Sequence, residues 1–175
     1  ALRELDAQVQ AMVTDAIRGL AAQLDPHVPA ILAAHLSVAE AKQGSEQHVM
    51  IGSDVVILKS VVADPAFDYV ALGHIHKHQD LNPGAHPPVV YSGSIERIDF
   101  GEENEDKGFV VADIEKGKTT YQFIPVHARP FVTIRVQVEG PDPMAQILSE
   151  IARHDVASAV VRVIIRAHEE EEKLI

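Results

Sequence analysis

The chain contains no cysteine and no tryptophan. The missing thiols exclude disulfides, cysteine-ligated zinc and thiol catalysis together, and they fit a cytoplasmic protein. Aromatic residues make up only 5% of the chain, so a core must be built mostly from Val, Ile, Leu and Ala. No apolar run is long enough to cross a bilayer. The N-terminus is a charged amphipathic segment, not a signal peptide, and no membrane association is expected. Positive charge is also scarce: 15 Lys and Arg stand against 26 Asp and Glu, a net charge of −11. That balance disfavours indiscriminate binding to phosphate backbones. Much of the excess is local, in Glu102, Glu103, Glu105 and Asp106 and again in Glu169 to Glu172. Both clusters read as solvated surface. An enzyme that grips nucleic acid through metal ions and a few placed basic residues can still be acidic overall.

What is present is enough for one domain, or one domain with a small appendage: 175 residues, 46% of them hydrophobic. Leu2, Leu5, Val9, Met12, Val13, Ala16, Ile17, Leu20 and Leu24 recur at three- and four-residue steps. They predict an amphipathic helix over roughly the first 24 residues, ended by Asp25-Pro26. The short apolar run from Pro29 to Ala34 predicts a buried strand ending at His35, and Ala39 to Ser45 reads as loop. Val55 to Val62 is apolar and β-branched, interrupted by Lys59 and Ser60. Tyr69 to Leu72 predicts a second buried strand ending at Gly73, and Val89 to Tyr91 a third. Residues 108–114 and 119–124 flank Glu115-Lys116-Gly117-Lys118, a hairpin signal. After Arg129-Pro130 the pattern changes. Alternation over 131–138, a Pro-rich break, helical spacing over 144–151 and a strand-like 158–167 predict a β-α-β unit. The expected division is therefore residues 1–129 and 130–175. The expected class is α/β.

The sharpest chemical feature is Gly73-His74-Ile75-His76, directly after a strand. Neutral imidazole is a common ligand for first-row metals. Glycine allows the backbone to turn tightly at the strand end, and strand ends are where site residues gather in α/β folds. His35 also follows an apolar strand. His35, His74 and His76 are thus candidate metal ligands. A lone His-x-His pair also occurs on plain surfaces, and His35 alone could be a hydrogen-bonded histidine near the core. His78, beside Lys77 and Gln79, is expected to be exposed. His27, His48, His86, His127, His154 and His168 are expected on loops or surfaces, away from any metal.

The words around these histidines are specific. Residues 67–77, Phe-Asp-Tyr-Val-Ala-Leu-Gly-His-Ile-His-Lys, resemble the last metal-binding motif of calcineurin-like phosphoesterases. Residues 90–102, Val-Tyr-Ser-Gly-Ser-Ile-Glu-Arg-Ile-Asp-Phe-Gly-Glu, and Lys107-Gly108-Phe109-Val110 resemble the SbcD branch, relatives of the Mre-type double-strand-break nucleases. Ala33-Ala34-His35-Leu36-Ser37 is similar to that family's earlier single-histidine motif.

The resemblance implies a calcineurin-like αββα sandwich followed by a small β-α-β capping domain. It implies that His35 and His74 ligate one metal ion and His76 its neighbour. The ions would be two divalent metals, usually manganese, bridged by a carboxylate and activating water for in-line attack on a phosphodiester. It implies a manganese-dependent DNA exo/endonuclease with an SbcC-like ABC-type ATPase partner, while a homodimer is left open. Arg97 and Lys77 are candidate contacts to substrate phosphate, with a surface role as the alternative. The family also carries Asp-x-His, Gly-Asp and Gly-Asn-His motifs nearer the N-terminus, and none is identified here. With Ala1 as first residue, this implies a fragment whose full-length parent is the enzyme and which alone lacks turnover. No catalytic acid is assigned. Two other readings stand beside the nuclease: a non-catalytic scaffold or binding fragment, and a phosphomonoesterase or cyclic-nucleotide diesterase of the same superfamily.

Overall fold

The computed structural model describes residues 2–42, 44 and 55–167. The expected exposure of Glu169 to Glu172, the surface assignments of His48 and His168, and the last part of the 39–45 loop lie outside them. The chain divides into two compact units: residues up to Ile95 with Asp106–His127, and Glu96–Glu105 with the residues from Ala128 on.

The first unit opens with α1 (Leu2–Ala21). Ile17 and Ala21 are buried, with Val13 and Leu24 packed against the same core, as the helical spacing requires. Parallel strands β1 (Ile31–His35) and β4 (Tyr69–Gly73) lie side by side, with His35 opposite Gly73. β6 (Val89–Tyr91) joins β4 in parallel and β5 (Gln79–Asp80) closes the sheet antiparallel, giving the order β1-β4-β6-β5. One face of this sheet, through Leu32, Val70, Leu72, Val89 and Tyr91, shares a core with α1 and with Val61 and Val62.

The structure corrects one expectation in this unit. β1 is not a buried strand, since Ile31 is 54% exposed while Leu32 is 7% exposed. It lies at the end of the four-strand order, and only its Leu32 side meets the core. The run 55–62, apolar and interrupted at Lys59 and Ser60, holds two short elements. It divides into β3 (Val56–Ile57), paired in parallel with β2 (Ser37–Val38), and a single helical turn, α2 (Lys59–Val62). The hairpin falls where expected, as β7 (Gly108–Glu115) and β8 (Lys118–Pro125).

In the second unit, β9 (Phe131–Gln137), α3 (Pro143–Ile151) and β10 (Val160–Arg166) form the β-α-β unit, with the strands parallel in their own two-stranded sheet. Asp142 caps α3 by accepting the Ala145 N–H, and Pro143 occupies the first turn, where a missing N–H costs nothing. Ile134, Val136, Val138 and Ile147 make the core. Residues 96–105 belong to this unit, so the acidic cluster is more than solvated surface. Glu102 is fully buried and its Oε2 accepts the Ile98 N–H at 3.2 Å. Glu103 accepts the Thr133 N–H at 2.9 Å. The Thr133 hydroxyl, that N–H and the nearby Arg162 and Arg135 hold the Glu103 carboxyl below its ordinary range. A buried carboxylate such as Glu102 persists when hydrogen bonds replace its lost water, and the half-buried Glu103 is likewise hydrogen-bonded.

Candidate metal centre

The parallel pairing of β1 with β4 puts the ends of both strands at one place, and two of the candidate histidines meet there. The His35 and His74 rings stand 5.3 Å apart, centre to centre, at 70° to each other. Imidazole nitrogens bind first-row ions at about 2.0–2.1 Å, so two rings sharing one ion stand roughly 5 Å apart. The spacing therefore fits two ligands of one ion. Their approach depends on Gly73, because a Cβ there would lie 2.9 Å from His35 Nδ1. His74 itself has φ +100°, a conformation rare for a non-glycine residue and often tied to function. The segment after His35 is pinned by Tyr91, which is fully buried. Its hydroxyl donates to Leu36 O at 2.8 Å and accepts the Val38 N–H at 3.0 Å.

His76 is half-buried two residues on, past the buried Ile75. Among the described residues, no group of three or more His, Asp or Glu side chains is placed to hold a metal ion. The structure thus brings His35 and His74 together, while His76 is not part of a three-residue cluster. Asp25-Pro26-His27 does spell Asp-x-His upstream of His35, which corrects the expectation that no such word is present. It forms a turn in which Asp25 Oδ1 accepts the His27 N–H at 2.9 Å, and both residues are exposed.

The loop carrying His76 is held from two sides. Its carbonyl accepts the Ser94 N–H at 3.0 Å and a proton from Lys107 Nζ at 3.3 Å. Gly93 has φ +79°, and a Cβ there would meet His76 O and His78 N, each at 2.8 Å. His78 is not the exposed histidine expected from its charged neighbours. It is half-buried, its Nδ1 lies 2.9 Å from Tyr91 O, and its ring stacks on Phe123 at 4.2 Å. Position at a strand turn, not adjacent charge, decides its burial. For Gly93→Ala we expect a loss of about 2–4 kcal/mol, from the left-handed backbone and the crowding together. Urea denaturation of the two chains measures it.

Arg97 donates to three backbone carbonyls, Glu102 O, Arg129 O and Glu105 O, so its guanidinium is engaged in building residues 96–105. Lys77 is exposed. Asp80, Glu96 and Asp99 serve loop geometry. Asp80 accepts the Asn82 N–H and the Tyr121 hydroxyl, Glu96 the Arg129 N–H, and Asp99 the Gly101 N–H. Burial and the bond to Asp80 push the Tyr121 hydroxyl up to about 12, so it stays a donor at neutral pH. His27, His86, His127 and His154 are exposed.

The chain is thus a mixed α/β protein with His35 and His74 at the ends of neighbouring parallel strands. No family model matches the chain. Among curated proteins, the SbcD subunit of the SbcCD nuclease of Rhodobacter capsulatus is 33% identical over 150 residues, 81% of this chain and 36% of that protein. Its counterpart from Staphylococcus epidermidis, also an SbcD subunit of an SbcCD nuclease, is 30% identical over 140 residues, 79% of this chain and 35% of that protein. By sequence about four-fifths of the chain is similar to SbcD-type nuclease subunits. It spans about a third of the length of the curated relatives it matches.

Proposed function

We propose that this chain forms part of the nuclease subunit of an SbcCD-like DNA-repair complex, hydrolysing phosphodiester bonds at DNA ends in the cytoplasm. In this reading His35 and His74 hold one divalent ion, with manganese the metal to supply in an assay, and His76 faces its neighbour. The observation that carries it is the His35–His74 pair at adjacent strand ends, 5.3 Å apart, in a chain related to SbcD subunits. Bound divalent ions would polarise the phosphodiester and supply an activated water. The chain's own part is to hold the imidazoles at fixed spacing: Gly73 admits the His35 ring, and Tyr91 and the Ser94 N–H fix the segments that follow each strand. The α/β core would be one portion of a calcineurin-like sandwich, the β-α-β unit the start of a capping domain, and an ABC-type ATPase the partner.

DNA contact has a candidate surface in the second unit. Strand alternation sends Arg135, Arg162 and Arg166 to the side of β9–β10 opposite Ile134, Val136 and Val163. Arg162 lies over the Phe100 ring at 4.4 Å and donates to Thr133, whereas Arg135 and Arg166 line a shallow cavity with Gln137 and Ile164. Arginines on an otherwise acidic chain are apt phosphate contacts. Replacing Arg135 and Arg166 by Ala should weaken duplex binding and flatten the plot of log affinity against log salt by about 1 per residue. An unchanged slope would remove these residues from the interface.

The activity is tested in a longer protein that contains this chain, with linear duplex DNA and manganese. Nuclease activity abolished by His35→Ala or His74→Ala supports the reading, and full activity in either variant contradicts it.

A further inference from the structure

Lys107 is an unusual residue for its place. It stands just before β7 and is 2% exposed, although lysine is seldom fully buried. Its stem is long enough to reach water from many buried positions, yet here Nζ donates to the carbonyl of His76 at 3.3 Å. The neighbouring backbone is tied into the same junction. Val126 N–H donates to Lys107 O at 2.8 Å, Gly108 N–H to Ser94 O at 3.2 Å, and Ser94 N–H to His76 O at 3.0 Å. The carbonyl therefore receives two donors, one from the Ser94 loop and one from a side chain at the start of the hairpin. A bond with an ionised donor is about twice as strong as a neutral one, and low local polarity strengthens it further. Rotation of the His76 backbone would break both bonds, and His76 O packs so near Gly93 that an added Cβ there would stand 2.8 Å from it.

We infer that Lys107 is a positioning residue: its buried ammonium holds the His76 backbone, and so fixes where the His76 imidazole lies. The inference rests on the proposed role of His76 at the metal site. Neither the family resemblance nor the comparisons assign Lys107 a part. The histidine pair at the strand ends is set by sheet pairing, but His76 lies on a loop beyond β4 and needs a separate anchor. Lys107 supplies it from the hairpin of the same unit.

The test uses this chain with nitrogen-15-labelled histidine, free of metal, and reads ring relaxation for each imidazole. The wild-type His76 ring should give narrow signals from a single conformation. Lys107→Met removes the donor. Lys107→Gln keeps a polar group but ends one bond short of the ammonium. Both should raise the exchange contribution at His76 at least threefold and leave His35 and His74 unchanged, and Lys107→Arg should restore the narrow signals. A residue that merely stabilises the fold would move all three histidines together or none selectively. An unchanged His76 in the neutral variants overturns the inference, as does an equal change at all three. Failure of both neutral variants to fold also overturns it, since Lys107 would then hold the fold and not the histidine. A zinc titration of the same sample separates this claim from the metal reading. Ring nitrogens of His35 and His74 that fail to shift count against the metal site, whatever Lys107 does to His76.

Discussion

Asp68→Ala is expected to lower the stability of the chain by about 3–5 kcal/mol, the range for removing one member of a buried, hydrogen-bonded ion pair. The carboxylate is fully buried and joins three parts of the first unit. Oδ2 accepts the Ala30 N–H at 2.8 Å, just ahead of β1, and Lys116 Nζ at 3.0 Å; Oδ1 accepts the Gly117 N–H at 2.7 Å. Truncation leaves the Ala30 and Gly117 N–H groups facing a cavity, while Lys116 keeps Ala66 O at 3.2 Å, and each buried unsatisfied group costs about 1–3 kcal/mol. Burial by itself would raise the Asp68 carboxyl. The bonds from Gly117, Ala30 and Lys116 outweigh it and hold the group below its ordinary value. A carboxyl depressed on folding stabilises the native state above its unfolded pKa, about 3.9, and loses that contribution as pH falls through the folded value. The gap between wild type and Asp68→Ala should therefore be full at neutral pH and shrink below about pH 4. Thermal melts across pH check both parts. A gap under about 1 kcal/mol at pH 7 would show that Asp68 is not the anchor its bonds suggest.

The second large effect concerns turnover. This chain should show no significant manganese-dependent cleavage of linear duplex DNA, whereas a longer protein containing it should cleave and should lose at least about 100-fold with His74→Ala. Loss of an outer-shell partner already costs about 10–100-fold in metal affinity or activity, and loss of a direct ligand should cost more. Among the described residues no group of three His, Asp or Glu side chains can hold an ion. Two imidazoles bring no negative charge to offset the repulsion of two neighbouring dications. Without carboxylates nothing fixes an intermetal spacing, and without that spacing no water is clamped for attack. Incubation of the purified chain with duplex DNA and manganese, beside a His76→Ala control, reads this directly. Robust cleavage lost in the control would mean that a second copy, or residues outside this set, supply the missing ligands.

Much of the architecture was legible in the sequence because it rests on periodicity. Val13, Ile17 and Leu24, read at helical spacing, meet the core in or just after α1, Gly117 marks the hairpin turn between β7 and β8, and Pro143 opens α3. The elements that were not legible are short, and depend on contacts distant in sequence. Two-residue strands such as Ser37–Val38 and Val56–Ile57 have no period to detect. Burial of Glu102 and the half-burial of His78 are decided by partners such as Ile98 and Phe123, which the local charge pattern hides. The exposure of Ile31 follows from β1 lying at the end of the strand order, a matter of topology.

The candidate site divides in the same way. His35 and His74 were visible as histidines at strand ends, but only the β1–β4 pairing brings their rings together. Asp68 sits inside the 67–77 motif with no role of its own in the sequence, although a lone carboxylate between Phe67 and Tyr69, directly before an apolar strand, is a signal of buried anchoring. Arg97 had the chemistry of a phosphate contact, and its three carbonyl partners are visible only in three dimensions.

If His35 and His74 are two ligands of one ion, a zinc titration of nitrogen-15-histidine-labelled chain shows it most directly. Zinc is diamagnetic and shifts the ring nitrogen it binds. One nitrogen of His35 and one of His74 should shift together, with a single midpoint, while the exposed His27, His86, His127 and His154 do not move at the same zinc concentration. Shifts spread over the exposed histidines, or a response at His35 that survives unchanged in His74→Ala, would contradict it.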